Sequence, residues 1–200
     1  MVPSKLLSAV LLAACPLAAQ APSTYDVQVG SLSAQGDFRS EVGSKSGIDL
    51  GLSMTVPLLP RLAVRPRLTF ERFPGVDNAY AYKSSRYSDR GSETAEWSAW
   101  CLGADCLFRP TGGEGRLYFV AGAFFKSWRL RSHGSYTTQD RLNTTRTFTV
   151  DDSSTSNEPA VDLGIGLRVW RNLSLESRMT LASYRKLSYN TLQVGVVASF

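Results

Sequence analysis

The chain has no long hydrophobic run. Beyond residue 21 its longest apolar stretch is Leu117 to Phe125, nine residues, where a membrane helix needs about 20. Helical membrane spans are therefore excluded from that part of the chain. Histidine is almost absent: His133 is the single one. Cysteine is scarce too, with Cys15 near the N-terminus and only Cys101 and Cys106 beyond it. If that segment is a strand, residues five apart point to opposite faces and lie about 16 Å apart. A disulfide needs Cα atoms within about 7 Å, so the pair is read as two free thiols. Two thiols and one imidazole do not make a metal site, and no cofactor is expected. A strong charge of one sign is also missing. The formal net charge is +5, with basic and acidic residues interspersed. No nucleic-acid-binding patch stands out.

The first 21 residues read as a secretory signal. Lys5 is the basic region, Leu6 to Ala14 the apolar one, and Ala19-Gln20-Ala21 the small-x-small cleavage pattern. Cleavage after Ala21 leaves residues 22–200 as one domain with a charge of +4. A competing reading makes Leu12-Ala13-Ala14-Cys15 a lipoprotein box, and Pro16 argues against it.

What the chain does have is period-2 alternation, eight times over, with no helical periodicity. Tyr25, Val27 and Val29 open the series. Ile48, Leu50, Leu52, Met54 and Val56 follow. Leu62, Val64, Pro66, Leu68 and Phe70 come next, with Pro66 expected to cause a bulge or weakened pairing. Then Trp100, Leu102, Ala104, Cys106 and Phe108 alternate with Trp97, Ala99, Cys101, Gly103 and Asp105. In the fifth segment, apolar on both faces, Leu117, Phe119, Ala121, Ala123 and Phe125 are read as outward and Gly122 and Lys126 as inward. Val161 to Val169 and Leu173 to Leu181 repeat the pattern. The chain closes with Leu192, Val194, Val196, Ala198 and Phe200 on one face. Each segment is about 10 residues long, the length of a tilted membrane strand.

Connections alternate long and short. Gln35 to Ser46, Pro74 to Ala95 and Arg131 to Glu158 are long and polar. Pro57 to Arg61, Arg109 to Gly115 and Arg171-Asn172 are short. Short turns on one side and long loops on the other fit an outer-membrane barrel. The fold expected is an all-β, eight-stranded antiparallel up-and-down transmembrane barrel.

The second face of these strands carries Asp49, Arg65, Arg67, Glu71, Asp105, Lys126, Asp162, Arg168, Glu176 and Arg178, five of each sign. An eight-strand barrel has an interior just wide enough for side chains, so these charges are expected to pair across the lumen. The outward face is nearly free of charge. Phe108, Trp170 and Phe200 on the turn side, and Phe70, Phe73, Trp97, Trp128, Tyr184 and Tyr189 on the loop side, are read as interfacial girdles.

The signal, the eight strands, the phrases Gly103-Ala104-Asp105-Cys106-Leu107-Phe108-Arg109-Pro110 and Leu117-Tyr118-Phe119-Val120-Ala121-Gly122, and the terminal Phe200 resemble the small outer-membrane barrels of the OmpA/OmpX and opacity-protein type. The resemblance implies an outer-membrane location in a Gram-negative envelope, with outer-membrane lipid and lipopolysaccharide as surroundings. It also implies that Leu192, Val194, Val196, Ala198 and Phe200 form a signal read by the barrel-assembly machinery. No periplasmic peptidoglycan-binding domain is expected after the barrel, a departure from full-length OmpA.

Signals for chemistry are weak. His133 with Ser132 or Ser135 and Asp140 holds the residue types of a hydrolytic triad, but a solvated loop is the simpler reading, and no enzyme is expected. Lys83, Arg86 and Arg90 with Tyr80, Tyr82 and Tyr87 offer a contact for lipopolysaccharide phosphates or an extracellular ligand, again against the plainer reading of a solvated loop. Gly112-Gly113-Glu114-Gly115 lacks a following helix or Lys-Ser/Thr, so it is a turn. The expected role is structural, or surface interaction through the long loops. A lipid A-modifying enzyme and a soluble periplasmic lipocalin-like binder are the alternatives.

Overall fold

The computed structural model describes residues 22–84, 87–112, 115–140, 144–184 and 187–200. The expected signal segment, residues 1–21, lies outside them, as does Arg86. Eight long strands are present: β1 (Thr24–Gln35), β2 (Ser46–Leu59), β3 (Leu62–Lys83), β4 (Tyr87–Phe108), β5 (Leu117–Asp140), β6 (Thr145–Trp170), β7 (Leu173–Tyr184) and β9 (Asn190–Ser199). A two-residue β8 (Leu187–Ser188) pairs with the end of β7. Among the described residues one short helix, α1 (Asp37–Glu41), lies between β1 and β2. No helix is long and apolar enough to cross a membrane among the described residues.

Every long strand pairs antiparallel with its chain neighbours, and the ring closes through β1–β9. Full closure removes the sheet edges that an apolar solvent could not hydrate. The alternation decides which face is which. Outward positions are apolar and exposed: Leu52 is 63 % exposed, Leu102 57 % and Leu163 62 %. Inward positions hold buried charge: Arg178, Asp105 and Asp162 are each 1 % exposed. This inversion of the usual soluble arrangement is what a lipid solvent requires. The fifth strand follows the phase expected, with Phe119 and Phe125 exposed and Lys126 fully buried. Cys101 is buried, Cys106 exposed, and both are free.

Pro66 leaves the β2–β3 register unchanged. Partners are found on either side of it, Ser53 with Arg67 and Val56 with Val64, while the ladder is interrupted between them. The register shift falls instead at Pro57–Leu59, beside the turn.

Two expectations need correction. The described residues of Pro74–Ala95 and Arg131–Glu158 are largely strand and not loop. They pair from Val76 with Ala95 out to Lys83 with Ser88, after a register shift at Phe73–Val76, and from Arg131 with Ser153 out to Gln139 with Thr145. Polarity on both faces was the reason to read a loop, but it reflects water on both faces. Thr, Ser and Tyr sustain the ladder there. β2 leaves β3 at Arg72, and β7 leaves β6 at Ala160. Beyond those points β3–β6 continue as a free-standing four-stranded sheet, about 35 Å along β3. The second correction concerns the girdle. Phe70, Phe108, Trp170 and Phe200 do lie on the outward side, whereas Phe73, Trp97, Trp128 and Tyr189 point into the barrel and are buried. The Tyr184 side chain falls outside the described ones.

The lipid-facing assignment makes Leu163→Arg an informative substitution. It should destabilise the barrel by about 2–4 kcal/mol, read as a lower denaturant midpoint for unfolding from lipid vesicles. An unchanged midpoint would contradict the orientation.

Candidate functional site

The lumen is a stack of side-chain layers. At its centre three arginines meet three carboxylates. β3 contributes Arg65 and Arg67, β4 Asp105, β6 Asp162, and β7 Glu176 and Arg178. Arg65 reaches Glu176 at 2.7 Å and Asp105 at 3.0 Å. Arg67 pairs with Asp105 at 3.0 Å and also with Asp162. Arg178 sits between Asp105 at 2.9 Å and Asp162 at 3.2 Å, and donates to Glu176. Tyr118 donates its hydroxyl to Glu176 at 2.6 Å. The cluster is neutral in sum, and each ion has several opposite partners. Only that geometry offsets removing six charges from water.

Two glycines make the cluster fit. A Cβ on Gly122 would stand 2.2 Å from an Asp162 oxygen and 2.5 Å from an Asp105 oxygen. A Cβ on Gly166 would meet the Tyr118 ring at 2.1 Å.

Toward the loop side a second layer follows. Lys126 faces Glu71 at 2.6 Å and lies over the Trp128 ring at 4.2 Å. Cys101 donates weakly to the same glutamate. Asp49 has no cation as a hydrogen-bond partner. It accepts instead from the side-chain amides of Gln28, at 2.7 Å, and Gln193.

Above this, the first long connection folds back into the mouth. α1 carries Phe38, fully buried, against Phe73 at 4.8 Å, Trp128 at 5.2 Å, Trp97 at 5.6 Å and Tyr189 at 4.5 Å between ring centroids. Val42, one helical turn on, is buried beside them. Asp37 accepts from the Ser188 backbone, tying this loop to the β7–β9 connection. The outer mouth is thus closed by an aromatic cap.

Of the ten charges expected inside, nine are in these layers. Arg168 is half-buried at the turn-side rim. Residues the pattern did not single out are Phe38, Tyr118, Gln28, Gln193 and Asp26, the last buried and accepting from Thr55 at 2.5 Å. Phe38 and Val42 carried a signal: two apolar residues four apart in an otherwise polar loop.

The Ser–His–acid set is not assembled. His133 stands on β5 opposite Thr94 and Asp151. Ser132 is on the other face of the strand. Asp140 lies seven residues on, its backbone about 23 Å along the strand, and its side chain falls outside the described ones. The basic-aromatic residues Tyr82 and Arg90 lie near the tip of the projecting sheet, and the side chains of Tyr80, Lys83 and Tyr87 fall outside the described ones.

Three substitutions test the stack. Arg178→Met takes one of the cations from each of three carboxylates, leaves the buried cluster one charge negative, and should cost about 3–5 kcal/mol. Adding Glu176→Gln should recover part of that, measured by denaturant unfolding in lipid. Phe38→Ala empties the centre of the cap and should raise ion leakage in planar bilayers above the wild-type level; equal leakage would show that the cap is not the seal.

The family model for the outer membrane protein beta-barrel domain matches residues 5–200. No curated protein sequence matches. Among solved structures, Ail, the attachment invasion locus protein of Yersinia pestis, is similar at 12 % identity, covering 90 % of this chain and 100 % of its own, with a TM-score of 0.47. A major outer membrane protein from Thermus thermophilus is 15 % identical, with 90 % and 100 % coverage and a TM-score of 0.47. The N-terminal β-barrel domain of Pseudomonas aeruginosa OprF is 10 % identical, with 88 % and 97 % coverage and a TM-score of 0.42. The family match spans nearly the whole chain, and the closed antiparallel ring with its apolar exterior agrees with it: this chain belongs to the outer membrane protein beta-barrel domain family and is a bacterial outer-membrane protein.

Proposed function

We propose that the protein is a non-enzymatic surface barrel. The membrane ring is a sealed anchor, and the projecting part of β3–β6 is the recognition surface. The observation that carries this reading is that sheet itself. Its strands pair from Val76 to Lys83 and out to Gln139 and Thr145, yet it contributes nothing to closing the barrel. On its lumen-side face Tyr136 and Phe148 stack at 4.8 Å with their planes 15° apart, and Phe148 remains 42 % exposed. A rigid, ring-bearing platform lowers the entropy lost on binding.

The outer-leaflet contact follows the same reading. Just past the apolar belt, Arg72, Arg129 and Arg131 occupy outward strand positions and are exposed. Guanidinium groups at that level suit lipopolysaccharide phosphates. The closing strand, with Leu192, Val194, Val196, Ala198 and Phe200 outward, is the segment offered to the barrel-assembly machinery.

The test replaces residues 76–95 and 131–156 with tight turns. The shortened barrel should still shift its gel mobility on boiling, while adherence of expressing cells to glycan-coated or epithelial surfaces should fall to the vector-only level. Adherence that survives the deletion would overturn the role given to the sheet.

A further inference from the structure

The ionic centre is neutral and the outer mouth is capped, but the turn-side mouth is neither. A cavity of about 260 Å³ opens there, lined by Arg65, Arg109, Arg168, Arg171, Asp26 and Tyr118 among others. Arg65 forms its floor and is fully engaged with Asp105 and Glu176. The other three arginines make no ion pair among the described residues. Asp26, the one acidic group on the lining, is occupied by the Thr55 hydroxyl.

Arg109 is the informative member. It sits in the turn after β4, half-buried, and its Nε is fully buried with no hydrogen-bond partner among the described residues. Burial and the nearby Arg168 pull its guanidinium below the usual value. An unpartnered buried donor is costly, and two neighbouring guanidinium groups repel. The ions of the central cluster are neutralised by opposite charges, and Asp49 is satisfied by two glutamine amides. An oxyanion would complete the same pattern here: it would satisfy Arg109 Nε and relieve the repulsion between Arg109 and Arg168.

We infer that this turn-side vestibule is an anion site for a phosphate group, held by Arg109 and Arg168 with Arg171 at the rim. Guanidinium forks match phosphate oxygens two at a time. The level also fits. Phe108, Trp170 and Phe200 are exposed on the outer surface at the same end, the position of an interfacial aromatic belt. Phosphate is therefore available there from two sources, free in the periplasm or on an inner-leaflet lipid headgroup.

The experiment uses the protein extracted from outer membranes in dodecyl maltoside, which has no phosphate of its own, with arginine side chains labelled for NMR. One arm adds inorganic phosphate at constant ionic strength. The other adds dihexanoylphosphatidylglycerol, with dihexanoylglycerol as the phosphate-free control. Saturable shifts of the Arg109 and Arg168 Nε–H signals are expected, with that of Arg39, on α1 at the opposite mouth and bonded to Ser44, unmoved. Saturation by inorganic phosphate supports a free anion as occupant, and saturation by the lipid alone supports a headgroup. Arg109→Gln with Arg168→Gln should weaken binding at least about tenfold, with boiling-dependent gel mobility as the folding check. Should that variant fail to fold, the wild-type shift map and the exposed Arg171→Gln variant decide the matter. No shift in either arm, or equal shifts at Arg39, would overturn the site.

Discussion

The six-membered ionic cluster is the constraint around which the membrane part of this molecule is arranged. A closed sheet in lipid must turn its apolar side chains outward, so its interior receives the polar ones by default. In a ring of eight strands they fill the space, with little room left for water. Buried charge is tolerable only when each ion is surrounded by opposite charge and its remaining donors are satisfied. Arg65, Arg67 and Arg178 against Asp105, Asp162 and Glu176 meet that demand. The cluster ties β3, β4, β6 and β7 across the lumen. It fixes the size of its neighbours as well: Gly122 and Gly166 are small because carboxylates and the Tyr118 ring occupy the space a side chain would take.

The layers above and below follow from distance to water. Nearer the loops the lumen changes from ions to the Lys126–Glu71 pair, and then to aromatic rings that exclude water outright. Lys126 bridges the two regimes by placing its ammonium over Trp128 while bonded to Glu71. At the turn end the sequence runs the other way, from a neutral cluster to an excess of arginine. The two mouths are therefore unlike: one is closed by apolar packing, the other is an open, positively charged recess. A barrel with that polarity is a plug rather than a pore.

Much of the membrane ring was legible in the sequence because period-2 alternation encodes lipid contact directly. Leu163 beside Asp162, or Leu102 beside Cys101, states its face without reference to any partner. Which ions meet was not legible, because pairing across a ring depends on shear and tilt, which no single strand reports. Asp49 illustrates this: the sequence pattern groups it with the charges that pair across the lumen, but its hydrogen-bond partners are two glutamine amides, one from the adjacent β1 and one from β9. The aromatics failed for a related reason. Phe73, Trp97 and Trp128 stand near the ends of the alternating apolar segments, midway along the full strands, and position along a segment resembles a girdle until the facing direction is known. Phe38 was hidden because a five-residue helix inside a polar connection has too little pattern to show.

The projecting sheet shows where the alternation rule stops. Past Arg72 and Ala160 the strands leave lipid, and the requirement that one face be apolar disappears. What remains is the ladder itself, held by β-favouring residues such as Thr137, Thr147, Thr149 and Tyr136. Such a sheet has two free edges, and edges invite pairing with other chains. Here the β6 edge runs through Asp151, Asp152 and Glu158, and the β3 edge carries Asp77. Charge at those positions opposes strand addition by hydrophobic partners. That leaves the faces, with the Tyr136–Phe148 stack, as the surface most suited to contact. The same chain thus solves the edge problem twice: by closure where there is no water, and by charge where there is.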